Sequence, residues 1–371
     1  MKKSEYGTEI LRSRDIMLAI PGMSLAIGVL YLPRIIASKT TGLDGLISIS
    51  IGFLIALILI VMITKITSSF SGKTFMEYAP KLVSKPIATF ISILYGLHGI
   101  FITAYEVRGI SDIAHLQLFI RTPIVVVALA FFLVVIYGVS GSRLTLFRLN
   151  ELFLPFVILV AFFVALLSLS LTNKDNMVPI LQTDFKGFAS STTSATIALS
   201  GFGLLGYLFF YGSLVKKPDK PIRKAIVGIS WLYFIYVVLY LACIIVFGVN
   251  VTANLMFPVV NLARAVEIPG GFFTRFESLF FVIWIMTIFN TSLFSFDIAI
   301  LGFQSLFKNT SRIKMVFILA PIIFFIACVP KSIPEIGELG RVVSYFGVAL
   351  TIVVTFLFFI ILNIKGVKKN G

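Results

Sequence analysis

The sequence predicts an all-α integral membrane protein with about ten transmembrane helices. Of its 371 residues, 58% are hydrophobic and 13% are charged, whereas soluble domains average about 45–50% apolar and about 25% charged residues. The mean hydropathy is +1.05. The apolar residues also fall into ten segments long enough to cross a bilayer. These segments are 12–36, 43–70, 86–118, 123–140, 143–171, 192–215, 221–249, 271–306, 312–329 and 338–365.

The 31 Lys and Arg residues predict how the chain is oriented in the membrane. Most of them lie before the first segment, after the last one, and in the connections that follow the even-numbered segments. The positive-inside rule places such connections in the cytoplasm, so both termini are expected there. No cleavable signal peptide is evident, and the first segment is expected to remain as a signal anchor. The net charge of +15 therefore indicates topology, and we expect no nucleic-acid partner.

Residue types that carry enzyme or metal chemistry are scarce. The two cysteines, Cys243 and Cys328, lie in apolar runs, and His98 and His115 are the only histidines. That set does not build a zinc site. The sequence also has no phosphate-binding loop and no nucleophile motif. We therefore predict a protein that is not an enzyme and has no cofactor, with coupling to a proton or sodium ion left open.

Segments 1 and 6 each contain a glycine-rich interruption near the middle. Segment 1 has Pro21-Gly22 followed by the run 26–33, which reads AIGVLYLP, and segment 6 has Ser200–Gly203 followed by Gly206. Paired broken helices at corresponding positions are typical of transporters built from an inverted repeat. The alternative is that these glycines simply allow close helix packing.

The breaks favour a repeat of five and five helices within one membrane domain. The domain spans residues 1–371, with the first repeat at about 12–171 and the second at about 192–365. No connection between segments is long enough to form a separate domain.

Two stretches resemble a known family. The run 26–33 is similar to the first helix of the amino acid–polyamine–organocation transporter superfamily. The stretch 257–271, which reads FPVVNLARAVEIPGG and continues to Arg275, Phe276, Glu277 and Trp284, resembles the B subunit of spore germinant receptors, the GerAB-type branch. The similarity covers essentially the whole chain.

The resemblance implies a leucine-transporter-type fold with broken helices 1 and 6. It also implies residence in the spore inner membrane, recognition of a nutrient, and assembly with a receptor A subunit and a lipoprotein C subunit. The chain departs from the family at two positions. Ala26 replaces the first glycine of the helix 1 motif, and Gly203 stands where the family often has an acidic residue.

The two breaks predict a site for a small zwitterion such as an amino acid. Unpaired backbone N–H groups at the first break would favour a carboxylate, because a helix N-terminus carries a partial positive charge. Freed carbonyl oxygens at the second break would accept from an ammonium group. The candidate ligand-binding residues are Ser24, Ala26, Ile27, Gly28, Ser200, Gly201, Phe202 and Gly203, with Tyr95, His98 and Asn290 as neighbours. A packed core pair is the alternative for Tyr95 and His98.

Ionisable residues inside predicted spans give further candidates, because such residues are costly in a membrane. Glu151 and Asp297 lie toward the cytoplasmic side, where helices 5 and 8 of this fold approach helix 1 at an ion-binding region, and either could be a proton switch. The alternative is structural pairing, with Arg148 for Glu151 and Arg143 nearby. We assign Arg275 and Glu277 to anchoring the outer lid 250–270, and Glu106 and Arg108 to the outer rim.

The leading functional hypothesis is a nutrient sensor that relays a conformational change to partner subunits. The alternative is a proton- or sodium-coupled amino acid transporter, because fold alone does not separate the two roles. A scaffold that binds nothing is a third possibility. The ligand class beyond a small nutrient is not determined by the sequence.

Overall fold

The structure, a computed structural model, describes residues 11–178, 181–265, 276–307 and 310–365. Almost all of this part of the chain is helical. Its α-helices are α1 (Ser13–Ser24), α2 (Ala26–Ala37), α3 (Gly45–Ser68), α4 (Phe75–Leu82), α5 (Lys85–Gln117), α6 (Ile124–Ser140), α7 (Arg143–Ser168), α8 (Phe185–Leu199), α9 (Leu208–Tyr211), α10 (Pro221–Asn254), α11 (Pro258–Ala265), α12 (Phe276–Gln304), α13 (Arg312–Cys328) and α14 (Ile333–Ile364). Short 3-10 helices lie at Leu169–Leu171, Lys174–Met177, Gly201–Tyr207 and Gly212–Leu214.

Each of the ten predicted spans corresponds to a helix or a helix pair. In the described ranges, six single helices are long and apolar enough to cross a membrane, namely α3, α5, α7, α10, α12 and α14. Two bent pairs pass the same test as single spans: α1 with α2, bent by 58°, and α8 with the segment 201–214, bent by 46°. Helices α6 and α13, with 17 residues each, occupy the two remaining segments.

Large apolar side chains cover the outside of this bundle. Phe90, Phe317 and Phe325 are each at least 60% exposed, which suits a surface surrounded by lipid, where apolar side chains need no polar covering. The chain is therefore a multi-pass membrane protein. Helix α4 lies at one end of the bundle and helix α11 at the other, and these are called the α4 end and the α11 end.

Helices α5 and α12 cross in the middle of the bundle at a seam of small residues. A Cβ atom added to Gly302 would lie 2.5 Å from the Cα atom of Gly96, and one added to Gly99 would overlap the backbone of Ser295. The lack of side chains lets the two backbones approach closely, as is common in membrane helix pairs. This seam fixes the position of α5, which carries several of the candidate site residues.

At the α11 end, Asp44 ties the α2–α3 connection to the connection before α8. One carboxylate oxygen accepts the backbone N–H of Leu181 at 2.5 Å, and the other accepts those of Gln182 and Thr183 at 3.0 and 2.9 Å. The Thr183 hydroxyl donates to it at 2.7 Å. Leu181 has a φ of 59°, so three successive N–H groups converge on one anion. This set of hydrogen bonds, called the Asp44 clamp below, joins the connection that follows the first broken span to the connection that precedes the second.

These hydrogen bonds also determine the charge state of Asp44. Burial by itself would raise the pKa of this carboxyl, but the hydrogen bonds from Thr183, Leu181 and Thr41 outweigh it, and the pKa is lowered from its ordinary value. Because the folded pKa is the lower one, ionised Asp44 stabilises the fold above the ordinary aspartate pKa. That stabilisation is lost as the pH falls through the folded value.

We predict that Asp44→Asn destabilises the protein by about 1–3 kcal/mol at neutral pH, because an amide cannot accept this set of charge-assisted hydrogen bonds. Thermal unfolding in detergent, followed by circular dichroism, measures the effect. The difference from the wild type should shrink as the pH falls through the folded pKa of Asp44.

Asp184→Asn is the matched control. Asp184 is an exposed acid in the same connection, and it caps α8 by accepting from Gly187 N at 2.9 Å. Asparagine caps a helix about as well as aspartate, so little change is expected. An Asp44→Asn protein as stable as Asp184→Asn would contradict the role of the clamp.

Candidate functional site

The first break lies at Leu25, between α1 and α2. Leu25 donates its N–H to Pro21 O at 3.0 Å, and no side chain caps the start of α2. The N–H groups in the first turn of a helix have no partner within that helix. Ser24 is fully buried beside them, and its Oγ has no hydrogen-bond partner among the described residues. This break therefore presents donors at a buried position.

The second break is a run of three residues in the left-handed region. Gly201, Phe202 and Gly203 have φ values of 60°, 56° and 96°. Glycine adopts this conformation without strain, whereas a bulky residue such as Phe202 does so rarely. Strained backbone of this kind persists only where the surrounding structure holds it.

Side chains of α5 and α14 hold the second break. His98 Nε2 lies 3.1 Å from Phe202 O, and His98 Nδ1 lies 2.9 Å from the Tyr207 hydroxyl. This pattern fits a neutral imidazole that donates through Nε2 and accepts at Nδ1. Thr351 donates its hydroxyl to Gly203 O at 2.9 Å. Both freed carbonyls thus already accept one hydrogen bond, and each retains a second lone pair.

The two breaks are in direct contact, and the lack of a side chain at their glycines makes that contact possible. A Cβ atom added to Gly28 would overlap the Phe202 ring, and one added to Gly201 would lie 2.5 Å from Ser24 Oγ. Gly203 lies against the backbone of Gly347 in the same way. The structure therefore brings together Ser24 and Gly28 from the first break with Gly201 and Phe202 from the second.

The other predicted ligand-binding residues lie around this centre. Ala26 is buried, Ser200 donates its hydroxyl to Ile197 O at 2.9 Å, and the side chain of Ile27 lies outside the described residues. Tyr95 is buried against the far side of the break, with its ring edge-on to those of Tyr207 and Phe210.

A cavity of 680 Å³ extends from the centre to the α11 end. Gly28 and Phe202 line its deep part, and Lys39, Met256 and Ile333 line the part nearest the α11 end. Tyr31, Arg34, Tyr105 and Arg341 lie between them in the chain segments that form its walls. This space is called the α11-end cavity below. It therefore reaches both breaks, through Gly28 of the first and Phe202 of the second.

Asn290 belongs to a network of neutral side chains around α1, which the sequence did not reveal. Asn150 on α7 donates to Leu18 O at 2.9 Å, and Asn290 on α12 donates to Asn150 Oδ1 at 3.3 Å. Thr291 donates its hydroxyl to Met23 O at 3.1 Å. Helices α7 and α12 thus hold α1 through uncharged groups, in the region where the sequence predicted an ion switch.

Glu106 is a second residue whose position differs from the sequence-based expectation. We expected it at the outer rim, but it is 1% exposed and interacts electrostatically with the hydroxyls of Tyr105 and Tyr236. The Tyr236 hydroxyl faces Gly28 at the first break. Glu106 follows His98 by eight residues on one helix, and that spacing places both on the same face.

The two carboxylates proposed as switches have cationic partners. Asp297 is fully buried and accepts from Arg143 Nε and the Tyr211 hydroxyl, both at 2.9 Å, and also pairs with Arg312. Glu151 is partly exposed and pairs with Arg148 at 2.7 Å and with Arg14 at 3.3 Å. Both clusters lie toward the α4 end. A switching role for either carboxylate stays a prediction.

The predicted lid is described only in part. Arg275 lies outside the described residues, and so does the side chain of Glu277. The described portion contains α11, which packs against α2. Phe257 meets the Tyr31 ring edge-on at 5.1 Å between centroids. The described ranges contain no group of three or more His, Cys, Asp and Glu side chains arranged to hold a metal ion.

Comparison of the sequence with known proteins gives a consistent result. A family model described as "Spore germination protein" matches residues 11–336. Spore germination protein GerLB of Bacillus cereus is 34% identical over 375 residues, which cover 100% of this chain and 98% of GerLB. YndE of Bacillus subtilis (strain 168) is 28% identical and covers 91% of this chain and 92% of its own length. Spore germination protein B2 of the same strain is 25% identical, covering 97% and 96%.

A solved structure confirms the predicted fold. The crystal structure of MhsT in complex with L-phenylalanine superimposes with a TM-score of 0.71 over 93% of this chain and 87% of MhsT, at 15% identity. At that identity the likeness concerns the fold alone. The all-α, leucine-transporter-type fold predicted from the sequence is therefore the observed one.

We predict that Gly203→Ala destabilises the protein by about 2 kcal/mol or more, because alanine is strained at a φ of 96° and its Cβ atom would overlap the Gly347 backbone. Thermal unfolding in detergent measures the change.

Gly337→Ala is the matched control, since a Cβ atom there would have no heavy atom within 4 Å. Gly337 lies inside α14, where alanine is favoured over glycine by up to about 1 kcal/mol. If the two variants were equally stable, the second break would not depend on glycine.

Proposed function

This chain belongs to the spore germination protein family, and from that premise we propose that it is the nutrient-sensing membrane subunit of a spore germination receptor. Family and fold together indicate a multi-pass membrane protein that is not an enzyme. We further propose that it resides in the spore inner membrane with both termini in the cytoplasm. The basic residues at the α4 end support that orientation. The proposed partners are a receptor A subunit and a lipoprotein C subunit.

One observation carries the ligand proposal: two buried backbone breaks face each other across Gly28, Phe202, Gly201 and Ser24. The uncapped start of α2 and the Ser24 hydroxyl supply donors for a carboxylate. Across the contact, Phe202 O and Gly203 O each retain a lone pair for an ammonium group. MhsT, which has this fold, is complexed with L-phenylalanine. An α-amino acid carries both groups, and we propose that class of ligand.

Ligand entry in this proposal depends on Phe202. The ring lies against Gly28, and both residues line the α11-end cavity. In this proposal, a ligand that binds Ser24 and the uncapped start of α2 displaces the ring. The ring belongs to a strained segment that is hydrogen-bonded to α5 and α14. Binding would therefore favour one arrangement of the bundle over another, which is the requirement for a relayed signal. The two proposed repeats, 12–171 and 192–365, would move relative to each other.

A coupled amino acid transporter is the alternative function, and the transporter-like fold supports it. Coupling requires an ion site that changes occupancy during the cycle. The carbonyls of Leu18 and Met23 on α1 instead accept from the neutral side chains of Asn150 and Thr291. This arrangement favours a sensor over a transporter driven by protons or sodium.

We predict saturable binding of small apolar amino acids to the purified protein in liposomes, without accumulation under a proton or sodium gradient. Ser24→Ala should weaken binding about tenfold, because it removes a hydrogen bond to a charged group. Radiolabelled binding and uptake are measured on the same preparation.

Ser292→Ala is the control, since Ser292 is also buried but bonds within its own helix, to Ile288 O at 2.9 Å. Equal affinities of Ser24→Ala and Ser292→Ala would contradict the ligand position. Accumulation of the amino acid driven by a proton or sodium gradient would contradict the sensor hypothesis and support the transporter hypothesis.

We also predict that wild-type binding is insensitive to sodium and to pH near neutrality, whereas Asn150→Asp makes it pH-dependent. Only a protonated aspartate can donate to Leu18 O, so the variant should bind well at low pH and lose affinity as the pH rises. Binding titrations over a pH series test this. Asn254→Asp, at an exposed site, is the control. Sodium-dependent ligand binding by the wild-type protein would contradict the argument that the neutral side chains around α1 favour a sensor over an ion-coupled transporter.

A further inference from the structure

The α11-end cavity has an unusual charge pattern. Among the residues that the structure describes, three basic ones line it, Arg34, Lys39 and Arg341, and no acidic residue does. The walls between them are formed largely by tyrosine and aliphatic side chains, including Tyr31, Tyr105 and Tyr345 on three helices. A cavity lined by charges of one sign raises the local concentration of ions of the other sign.

Several carboxylates lie near the walls of the cavity, including Glu106 beside Tyr105, but none of them forms an ion pair with Arg34 or Lys39 in the part of the chain that the structure describes. Asp112, close enough to Tyr31 to interact with it electrostatically, is paired with Arg108 at 2.9 Å. Glu338 pairs with Arg341 at the surface. Among the residues that the structure describes, no acidic side chain lies within ion-pair distance of Arg34 or Lys39. Of the three cations, Arg341 is therefore the one with its own counter-charge.

Arg34 and Lys39 keep donors for an anion. Lys39 Nζ donates to Ser194 Oγ at 2.7 Å, with Ser190 O at 3.4 Å, and an ammonium group has three donors. The Arg34 guanidinium has five donors in a planar fork that matches a carboxylate. Lys39 lies in the connection after α2, and burial lowers its pKa. A bound anion would stabilise its charged form.

The size and walls of the cavity restrict what the anion is. A volume of 680 Å³ is that of a pocket for a small organic molecule. Tyrosine rings beside cationic groups suit a ligand with an apolar or aromatic body and one anionic end. The cavity extends to Gly28 and Phe202 inside the bundle, which favours a soluble ligand over the headgroup of a lipid.

We propose that the α11-end cavity is a binding site for small organic carboxylates, in which Arg34 and Lys39, rather than the backbone groups of the broken helices, recognise the carboxylate group. The site goes beyond the proposed sensor function and does not depend on it. It also selects by charge which molecules reach the Phe202 ring, favouring anions and zwitterions over cations.

The test uses three probes of nearly equal shape: para-fluorobenzoate, para-fluorobenzamide and para-fluorobenzylammonium. Each is titrated by fluorine NMR against the full chain in nanodiscs of phosphatidylcholine. The expected order of affinity is anion, then neutral, then cation, with anion affinity falling as salt is raised. Equal affinities for the anion and the amide would overturn the proposal.

Arg34→Gln and Lys39→Gln should each weaken benzoate binding about tenfold, the effect of losing a hydrogen bond to a charged group. Arg341→Gln is the matched control, and a change of less than about threefold is expected because its guanidinium is exposed and paired with Glu338. Thermal unfolding verifies that each variant is folded. Wild-type benzoate affinity in both Arg34→Gln and Lys39→Gln would contradict the site.

A second arm distinguishes a soluble carboxylate from a lipid headgroup. Nanodiscs containing phosphatidylglycerol should bind benzoate as neutral nanodiscs do, once surface charge is screened by salt. Benzoate binding that is kept in phosphatidylcholine nanodiscs but lost in phosphatidylglycerol nanodiscs at the same high salt concentration would identify a lipid headgroup as the occupant and overturn the proposal. Because the fluorinated probes report binding to the cavity directly, failure here leaves the radiolabelled amino acid binding and uptake experiment unaffected.

Discussion

The structure depends on one requirement: the backbone carbonyl groups that lack a helical partner at the second break need hydrogen-bond donors inside a bundle that excludes water. An unpaired carbonyl in such surroundings costs several kcal/mol, so a span can be interrupted only where donors are supplied. Here His98 and Thr351 supply them to Phe202 and Gly203. These donors come from helices distant in sequence, so the break exists only in the assembled bundle. Its left-handed residues, in turn, bring the Phe202 ring against Gly28.

Close backbone contact follows from the same constraint. For His98 to reach Phe202 O, α5, α14 and the second break have to approach more closely than ordinary side chains allow. Gly347 and Gly203 provide that approach on one side, and the Gly96–Gly302 seam positions α5 against α12 on the other. Glycine in these helices is therefore a packing element as well as a break. Both readings of the glycine pattern that the sequence left open are correct, at different positions.

Charged groups divide by location into three roles. At the α11 end, Asp44 is an anion held by backbone N–H groups, and at the α4 end Asp297 is an anion held by arginines. Both join helices and leave little capacity for a ligand. Arg34 and Lys39 differ, since they face a cavity and have no acidic partner in the part of the chain that the structure describes. The broken-helix centre carries donors and acceptors without a formal charge on Ser24, Gly28 or Phe202, which suits a ligand that brings both signs itself.

The ten apolar segments, the two interruptions and the family resemblance could be predicted from the sequence, because segment length, glycine content and a short motif are all properties of neighbouring residues. The candidates Ser24, Gly28, Gly201 and Phe202 could also be chosen from the sequence, because the residues that interrupt a helix are themselves visible in it. The contact partners of those residues across the bundle could not be predicted. Helical periodicity gives the face on which a side chain lies, but not the partner across the bundle, and Asn150 and Asn290 are 140 residues apart while Arg143 and Asp297 are 154 apart. Only the tertiary structure shows that His98 supports the second break, that Glu106 is buried and that basic residues line one cavity. The reason is that the rotation and tilt of a helix are set by packing against its neighbours rather than by its own sequence.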